Sequence, residues 1–151
     1  MSQFQLPIRV FIEDTDAGGI VYYVNYLKYM ERARTEWLRQ LGFDFAGLQQ
    51  QGCLFVVKHA DVNYVSPAKM DELLQVGVSI VKMARTYIRF HQLVSRDGAA
   101  LCEADIKVGC INTHTMRPTK IPDELQQAFQ AMFPDSGSET THNQFEKSSK
   151  L

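Results

Sequence analysis

The segment EDTDAGGIVYYVNY, residues 13–26, holds the densest set of chemically useful groups in the chain. Asp16 precedes two glycines, which let a backbone approach a ligand closely. A helix is predicted to follow, and its N-terminus would present free N–H groups and a positive dipole end. A carboxylate beside such an end supplies two parts of acyl transfer: a group that attacks or activates water, and a group that stabilises the oxyanion. Spacing alone favours a plainer role for Asp14 and Asp16, as turn and capping residues.

The helix that positions this segment is the strongest element predicted. Apolar residues recur at helical spacing between residues 27 and 41, and charged residues fill the other positions. Asn25 is the predicted N-cap, and Gly42 stands where a helix ends in the left-handed conformation. A helix of this extent is about 24 Å long, enough to cross a small domain.

Most of the remaining chain is predicted to form strands. Their expected bounds are 6–13, 54–65, 73–83, 86–96 and 101–113, with short helices at 43–52 and 121–133. Asp97-Gly98 predicts a hairpin, so the last three strands form an antiparallel meander. One long helix covered by several strands is an α+β fold in which the sheet wraps the helix.

Length and composition predict one domain, residues 1–133, followed by a polar tail, residues 134–151, that is expected to be disordered. The net charge of −1 gives no electrostatic case for a nucleic-acid partner. No signal peptide and no transmembrane segment are recognisable, which predicts a cytoplasmic protein.

The cysteines and histidines do not suggest a site. Cys102 and Cys110 share one predicted strand about 26 Å apart, so they cannot bridge each other, and with Cys53 they are interpreted as small core residues. None of the four histidines has metal-ligand spacing with a partner. We therefore expect no metal and no cofactor.

A long run of residues resembles a known family. The matching positions are Glu13-Asp14-Thr15-Asp16, Gly19, Val21-Tyr22, Tyr26, the run ERARTE at 31–36, FVV at 55–57 and YVSPA at 64–68. In these residues the chain is similar to the hotdog-fold acyl-CoA thioesterases, and most similar to the 4-hydroxybenzoyl-CoA thioesterase and YbgC (Tol-Pal-associated) family. The resemblance covers residues 6–133.

The resemblance implies roles for particular residues. The family's catalytic aspartate falls on Asp16, as nucleophile or general base, and the backbone N–H of Tyr23 matches the donor that polarises the thioester carbonyl. Gly19 belongs to the same motif, and Tyr22 and Tyr26 could line an acyl pocket. Tyr23 departs from the YbgC-like branch, which usually has a histidine there.

The resemblance also implies an acyl-CoA substrate and a homodimer or homotetramer joined edge to edge, with sites at the interface. Coenzyme A carries phosphates, and Lys58 and Arg85 are the preferred candidates to bind them. The alternative is a non-catalytic protein that binds acyl thioesters or an acyl carrier protein and is linked to the cell envelope. A dehydratase is disfavoured because the motif offers no histidine. The acyl group of the substrate could be short aliphatic, long aliphatic or aromatic.

Overall fold

The computed structural model describes residues 2–132, so the predicted disordered tail lies outside the described residues. The elements are β1 (Phe4–Arg9), α1 (Asn25–Gln40), α2 (Phe45–Gln50), β2 (Cys53–Tyr64), β3 (Leu73–Met83), β4 (Tyr87–Arg96), β5 (Ala99–Asn112) and α3 (Asp123–Ala131), with a 3-10 turn at Ile12–Asp14.

The five strands form one antiparallel sheet in the order β1-β3-β4-β5-β2. The predicted meander of β3, β4 and β5 is confirmed. Asp97 and Gly98 both have positive φ, 51° and 82°, as the tightest hairpin turns require. β1 and β2 lie at the two edges, and among the described residues β2 is hydrogen-bonded along one side only, to β5.

Helix α1 packs its apolar face on the sheet. Its buried residues are Tyr26, Tyr29, Met30, Ala33 and Trp37. The Trp37 ring lies 5.7 Å from Phe129 and 6.4 Å from Phe90, centroid to centroid. Burying each large side chain contributes about 1.5–3 kcal/mol to stability, so this face holds the helix firmly in place. The predicted α+β arrangement is confirmed.

Two local predictions are wrong. Strand β1 ends at Arg9 rather than at residue 13, because the Asp14 carboxylate accepts a 2.9 Å hydrogen bond from Phe11 N and closes a 3-10 turn. The N-cap of α1 is Val24, and the side chain of Asn25 is used elsewhere. Gly42 ends α1 with φ of 96°, as predicted.

Within residues 2–132, no helix combines the length and the apolar character that crossing a membrane requires.

Candidate active site

Asp16 opens a tight turn. Its carbonyl accepts a 3.0 Å hydrogen bond from Gly19 N, and its own N–H donates to the Ile20 carbonyl at 2.9 Å. Gly19 has φ of 80°, a conformation that a residue with a Cβ rarely adopts. One carboxylate oxygen of Asp16 accepts from Gly18 N at 2.9 Å. The side chain is exposed and has no other hydrogen bond within residues 2–132, so the second oxygen is open to a substrate or to water.

A short set of hydrogen bonds ties this turn to the start of α1. The backbone carbonyl of Asp14 accepts from Tyr22 N at 2.9 Å and from Asn25 Nδ2 at 2.8 Å. Asn25 is the first residue of α1, so the loop and the helix meet at one carbonyl. Only Thr15 separates Asp14 from Asp16, so this carbonyl helps to fix the carboxylate relative to the helix N-terminus.

The N-terminus of α1 has backbone N–H groups without an acceptor among the described residues. The N–H groups of Asn25, Tyr26 and Leu27 bond to the carbonyls three residues before them, at 2.8–3.3 Å. The N–H groups of Tyr23 and Val24 have no acceptor among the described residues. They are the free donors expected at such an end, so the donor predicted at Tyr23 is available.

Aromatic rings surround these donors. The Tyr23 ring meets Tyr64 edge to face at 5.8 Å and lies 5.1 Å from Tyr22. Tyr22 and Tyr23 are 48% and 56% exposed, so both can contact a ligand.

Tyr64 was not predicted as a site residue. It is opposite buried Cys102, so its side chain lies on the helix-facing side of the sheet. The bulge between Val57 and His59 shifts the alternation of this strand, so only the short pattern of Val62 and Tyr64 after the bulge signals the placement.

Tyr26 does not line an open pocket, contrary to its predicted substrate-binding role. It is 4% exposed, and its hydroxyl accepts a 3.0 Å hydrogen bond from the N–H of buried Ala68. Burial raises the pKa of Tyr26. The residue therefore supports the site from inside the core.

The segment between β2 and β3 backs the loop. Val21 N donates to the Ala68 carbonyl at 2.8 Å, and Ile20 pairs with Lys69. Glu72 holds this segment, because its Oε1 accepts from Lys69 N and from Arg96 Nη1, each at 2.7 Å. The loop that carries Asp16 is thus supported from both sides.

Two cavities run along one side of α1. The cavity near the helix start is about 270 Å³, and the cavity farther along, against α2 and the sheet, is about 160 Å³. They share Glu31, Arg34 and Val57, and the farther one is walled by apolar residues that include Phe55 and Trp37. Asp16 lines neither. Together they offer an apolar track that begins beside the helix N-terminus.

Arg34 is the cation at the junction of these cavities. Its Nη1 donates to Gln92 Oε1 at 2.7 Å, and Gln92 Nε2 donates to the Met30 carbonyl at 3.0 Å. Burial lowers the pKa of Arg34 to about 10, so it stays charged at neutral pH. Arg34 belongs to the run ERARTE, but its role depends on Gln92, which is distant in the sequence, so the sequence alone does not predict it.

Lys58 and Arg85 do not approach Asp16 within one chain. The Lys58 side chain lies across Gly109, on the face of the sheet opposite α1, because the neighbouring Val108 and Cys110 face the core. Arg85 lies in the turn after β3, whereas the Asp16 loop pairs next to the start of β3. Eleven residues of strand separate those ends by about 33 Å. Within the described residues, no group of three His, Cys, Asp or Glu side chains could hold a metal ion.

Comparison with known proteins identifies relatives. Residues 10–129 match the family model described as thioesterase-like superfamily. The chain is 42% identical over 127 residues to the acyl-CoA thioesterase YbgC of Haemophilus influenzae, covering 83% of this chain and 93% of that protein. It is 38% identical to the acyl-CoA thioester hydrolase YbgC of Escherichia coli O157:H7, covering 83% and 95%. Its fold matches a probable thioesterase from Bartonella henselae with a TM-score of 0.74 and 31% identity, covering 78% and 98%.

Proposed function

The chain belongs to the thioesterase-like superfamily and is a hotdog-fold thioester hydrolase, and we propose that it hydrolyses an acyl-CoA to a free acid and coenzyme A, using Asp16. One observation carries the assignment of the site: a single carbonyl, that of Asp14, ties the Asp16 turn to the first residue of α1, beside the free N–H of Tyr23. The relatives from Haemophilus influenzae and Escherichia coli are an acyl-CoA thioesterase and an acyl-CoA thioester hydrolase, which supports the substrate class.

The chemistry follows from these groups. The thioester carbonyl oxygen accepts a hydrogen bond from Tyr23 N–H, and the helix dipole stabilises the charge that develops on it. As a general base, Asp16 takes a proton from water while the oxygen of that water attacks the carbonyl carbon. The C–S bond then breaks, and the departing thiolate takes up the proton held by Asp16, which restores the carboxylate. As a nucleophile, Asp16 would itself attack and form an anhydride that water later cleaves.

Single-turnover hydrolysis in water labelled with heavy oxygen tests the nucleophilic role. Label in the Asp16 carboxylate would show that water cleaved an anhydride at the Asp16 carbonyl. A general base leaves that carboxylate unlabelled, and so does cleavage of an anhydride at the acyl carbonyl, so trapping the acyl-enzyme with an added amine nucleophile separates these two cases.

The acyl group is proposed to enter the track of two cavities along α1. The track starts at Val24, next to the free donors, and its walls are mainly apolar. An acyl chain laid there would place its thioester end toward Tyr23. The residual exposure of Tyr22 and Tyr23 leaves room for the pantetheine arm on the opposite side.

A second copy of the chain is proposed to complete the site. Strand β2 is 12 residues long and lies at the sheet edge, where unpaired backbone groups favour pairing with another strand. Val57 and Tyr64 on this strand are 51% and 45% exposed. Edge-to-edge pairing would cover them and enclose the open carboxylate of Asp16. Lys58 and Arg85 could then contribute to a phosphate site only in the assembled form.

A panel of acyl-CoA substrates with release of free thiol as the readout tests the function. We expect hydrolysis of at least one aliphatic or aromatic member. Binding of these compounds without thiol release would instead support the non-catalytic alternative. The cytoplasmic location and the link to the Tol-Pal system remain predictions.

A further inference from the structure

Two of the three cysteines meet in the core. Cys53 is the first residue of β2 and Cys110 lies on β5, and their sulfur atoms are 2.8 Å apart. They are 2% and 0% exposed. In the register of these strands, Phe55 is opposite Cys110 and Cys53 is opposite Asn112, so the cysteines are diagonal neighbours on one face of the sheet. The sequence did not reveal this contact because it depends on β2 pairing with β5.

The contact is close to bonding geometry. A disulfide has a sulfur–sulfur distance of about 2.05 Å, so the sulfur atoms would need to approach by less than about 1 Å. The hydrogen bond between the two sulfur atoms also lets one thiol stabilise the other as a thiolate, which is the nucleophilic form.

We propose that Cys53 and Cys110 form a reversible intramolecular disulfide when the protein meets a peroxide. The thiolate of one of the two cysteines attacks one peroxide oxygen and the O–O bond breaks, which gives a sulfenic acid and a hydroxide that takes up the proton released by the thiol to become one water. The thiol sulfur of the other cysteine then attacks the sulfenic sulfur, the S–O bond breaks, and the leaving hydroxyl takes the thiol proton to become a second water. Two thiols are oxidised to one disulfide while one peroxide is reduced to two waters. A dithiol reductant reverses the bond by exchange.

The position of the pair suits a reaction that starts from local opening. Cys53 is the first residue of β2, and the ends of strands open more readily than their centres. The bond would join β2 to β5 and close a long loop, which restricts the unfolded chain and raises the melting temperature. The start of β2 is about 36 Å from Tyr64 at its other end, so the bond lies outside the Asp16 site.

The test counts free thiols in the full chain before and after hydrogen peroxide. The treated protein is unfolded, alkylated with iodoacetamide and weighed intact. We expect all three cysteines to be alkylated before oxidation and only Cys102 afterwards, with the full count restored by dithiothreitol. The oxidised protein should melt at a higher temperature than the reduced one.

Three variants make the result specific. Cys102→Ala is the matched control, because Cys102 is also buried on β5. On oxidation this variant should still lose both of its remaining thiols, and its melting temperature should rise by the same amount as that of the parent. On oxidation, Cys53→Ala and Cys110→Ala should each keep both of their remaining thiols, and their melting temperatures should not rise. Cys53→Ser and Cys110→Ser serve in their place if an alanine variant does not fold. A wild-type protein that keeps all three thiols, a bridge that contains Cys102, a bridge between two molecules, or a lower melting temperature on oxidation would each overturn the proposal.

Discussion

The side chain of Asn25 donates a 2.8 Å hydrogen bond to the backbone carbonyl of Asp14. This bond joins the first turn of the long helix to the loop that presents Asp16. The same carbonyl also accepts from Tyr22 N, so the loop closes on itself and on the helix at one point. The Asp16 carboxylate and the Tyr23 N–H can therefore keep a fixed relation, which acyl transfer requires of the proposed base or nucleophile and the proposed oxyanion donor.

Replacing Asn25 by Ala should lower kcat by on the order of 10-fold to 10²-fold and leave KM nearly unchanged, because the loop loses its anchor while the binding track remains. Alanine is a good helix former, so the melting temperature should not fall. Steady-state kinetics and thermal unfolding measure both quantities. Gln40→Ala, at the exposed far end of the same helix, is the control. Full turnover in Asn25→Ala would show that the anchor is dispensable.

Replacing Tyr23 by Phe should keep most of the turnover. The backbone N–H stays, the ring can still contact Tyr64, and the phenol makes no hydrogen bond among the described residues. The loss should not exceed the ~0.5–1.5 kcal/mol of an ordinary hydrogen bond. A loss on the order of 10²-fold, with substrate binding unchanged, would mean that the phenol transfers a proton.

Tyr23→His is the companion variant, since it introduces the residue usual in the YbgC-like branch. An imidazole ordinarily titrates near pH 6.5, so it can act as a base at neutral pH. Activity that rises through that pH in the histidine variant, but not in the parent, would indicate that the parent works without a second base.

Much of the fold was predictable because its signals are local. The apolar spacing of α1, the alternation along β5 and the Asp97-Gly98 turn each depend on neighbours in the chain. The features that the sequence did not predict are contacts between residues far apart in the chain. Examples are the β2–β5 pairing that brings Cys53 to Cys110 and the bond from Tyr26 to Ala68.

Within the site, the sequence pointed to Asp16 and Tyr23 but misplaced the supporting residues. Asn25 was predicted to cap its own helix, because asparagine is common there. It instead bonds a carbonyl that the loop brings near, and only the fold reveals this. The charge of Lys58 suggests a phosphate ligand, but a strand position alone does not predict which face its side chain takes next to the bulge between Val57 and His59.

Glu72 should stabilise the fold in a pH-dependent way. Partial burial acts to raise its pKa, but hydrogen bonds from Lys69 N and Arg96 outweigh this and leave the pKa below its ordinary value. Its contribution is therefore present above the unfolded pKa near 4.3 and is lost as the pH falls through the lower folded pKa.

Glu72→Gln should lower the free energy of unfolding by about 1 kcal/mol at pH 7, a shift of roughly 2–4 °C in melting temperature. The difference from the parent should shrink below pH 4.3. Thermal unfolding over a pH series gives both values, with the exposed Glu124→Gln as control. A difference that is constant across the series would contradict the assigned ionic role.

The central claim is that Asp16 performs the hydrolysis, and the most direct test is thiol release from an acyl-CoA by Asp16→Asn. This change removes the charge and nearly keeps the shape, and the exposed side chain contributes little to the core. We expect turnover to fall at least ~10²-fold with the melting temperature unchanged. Asp14→Asn is the matched control: its site contacts use the backbone carbonyl, so it should keep most of the activity. Near-normal turnover in Asp16→Asn, or equal losses in the two variants, would contradict the account.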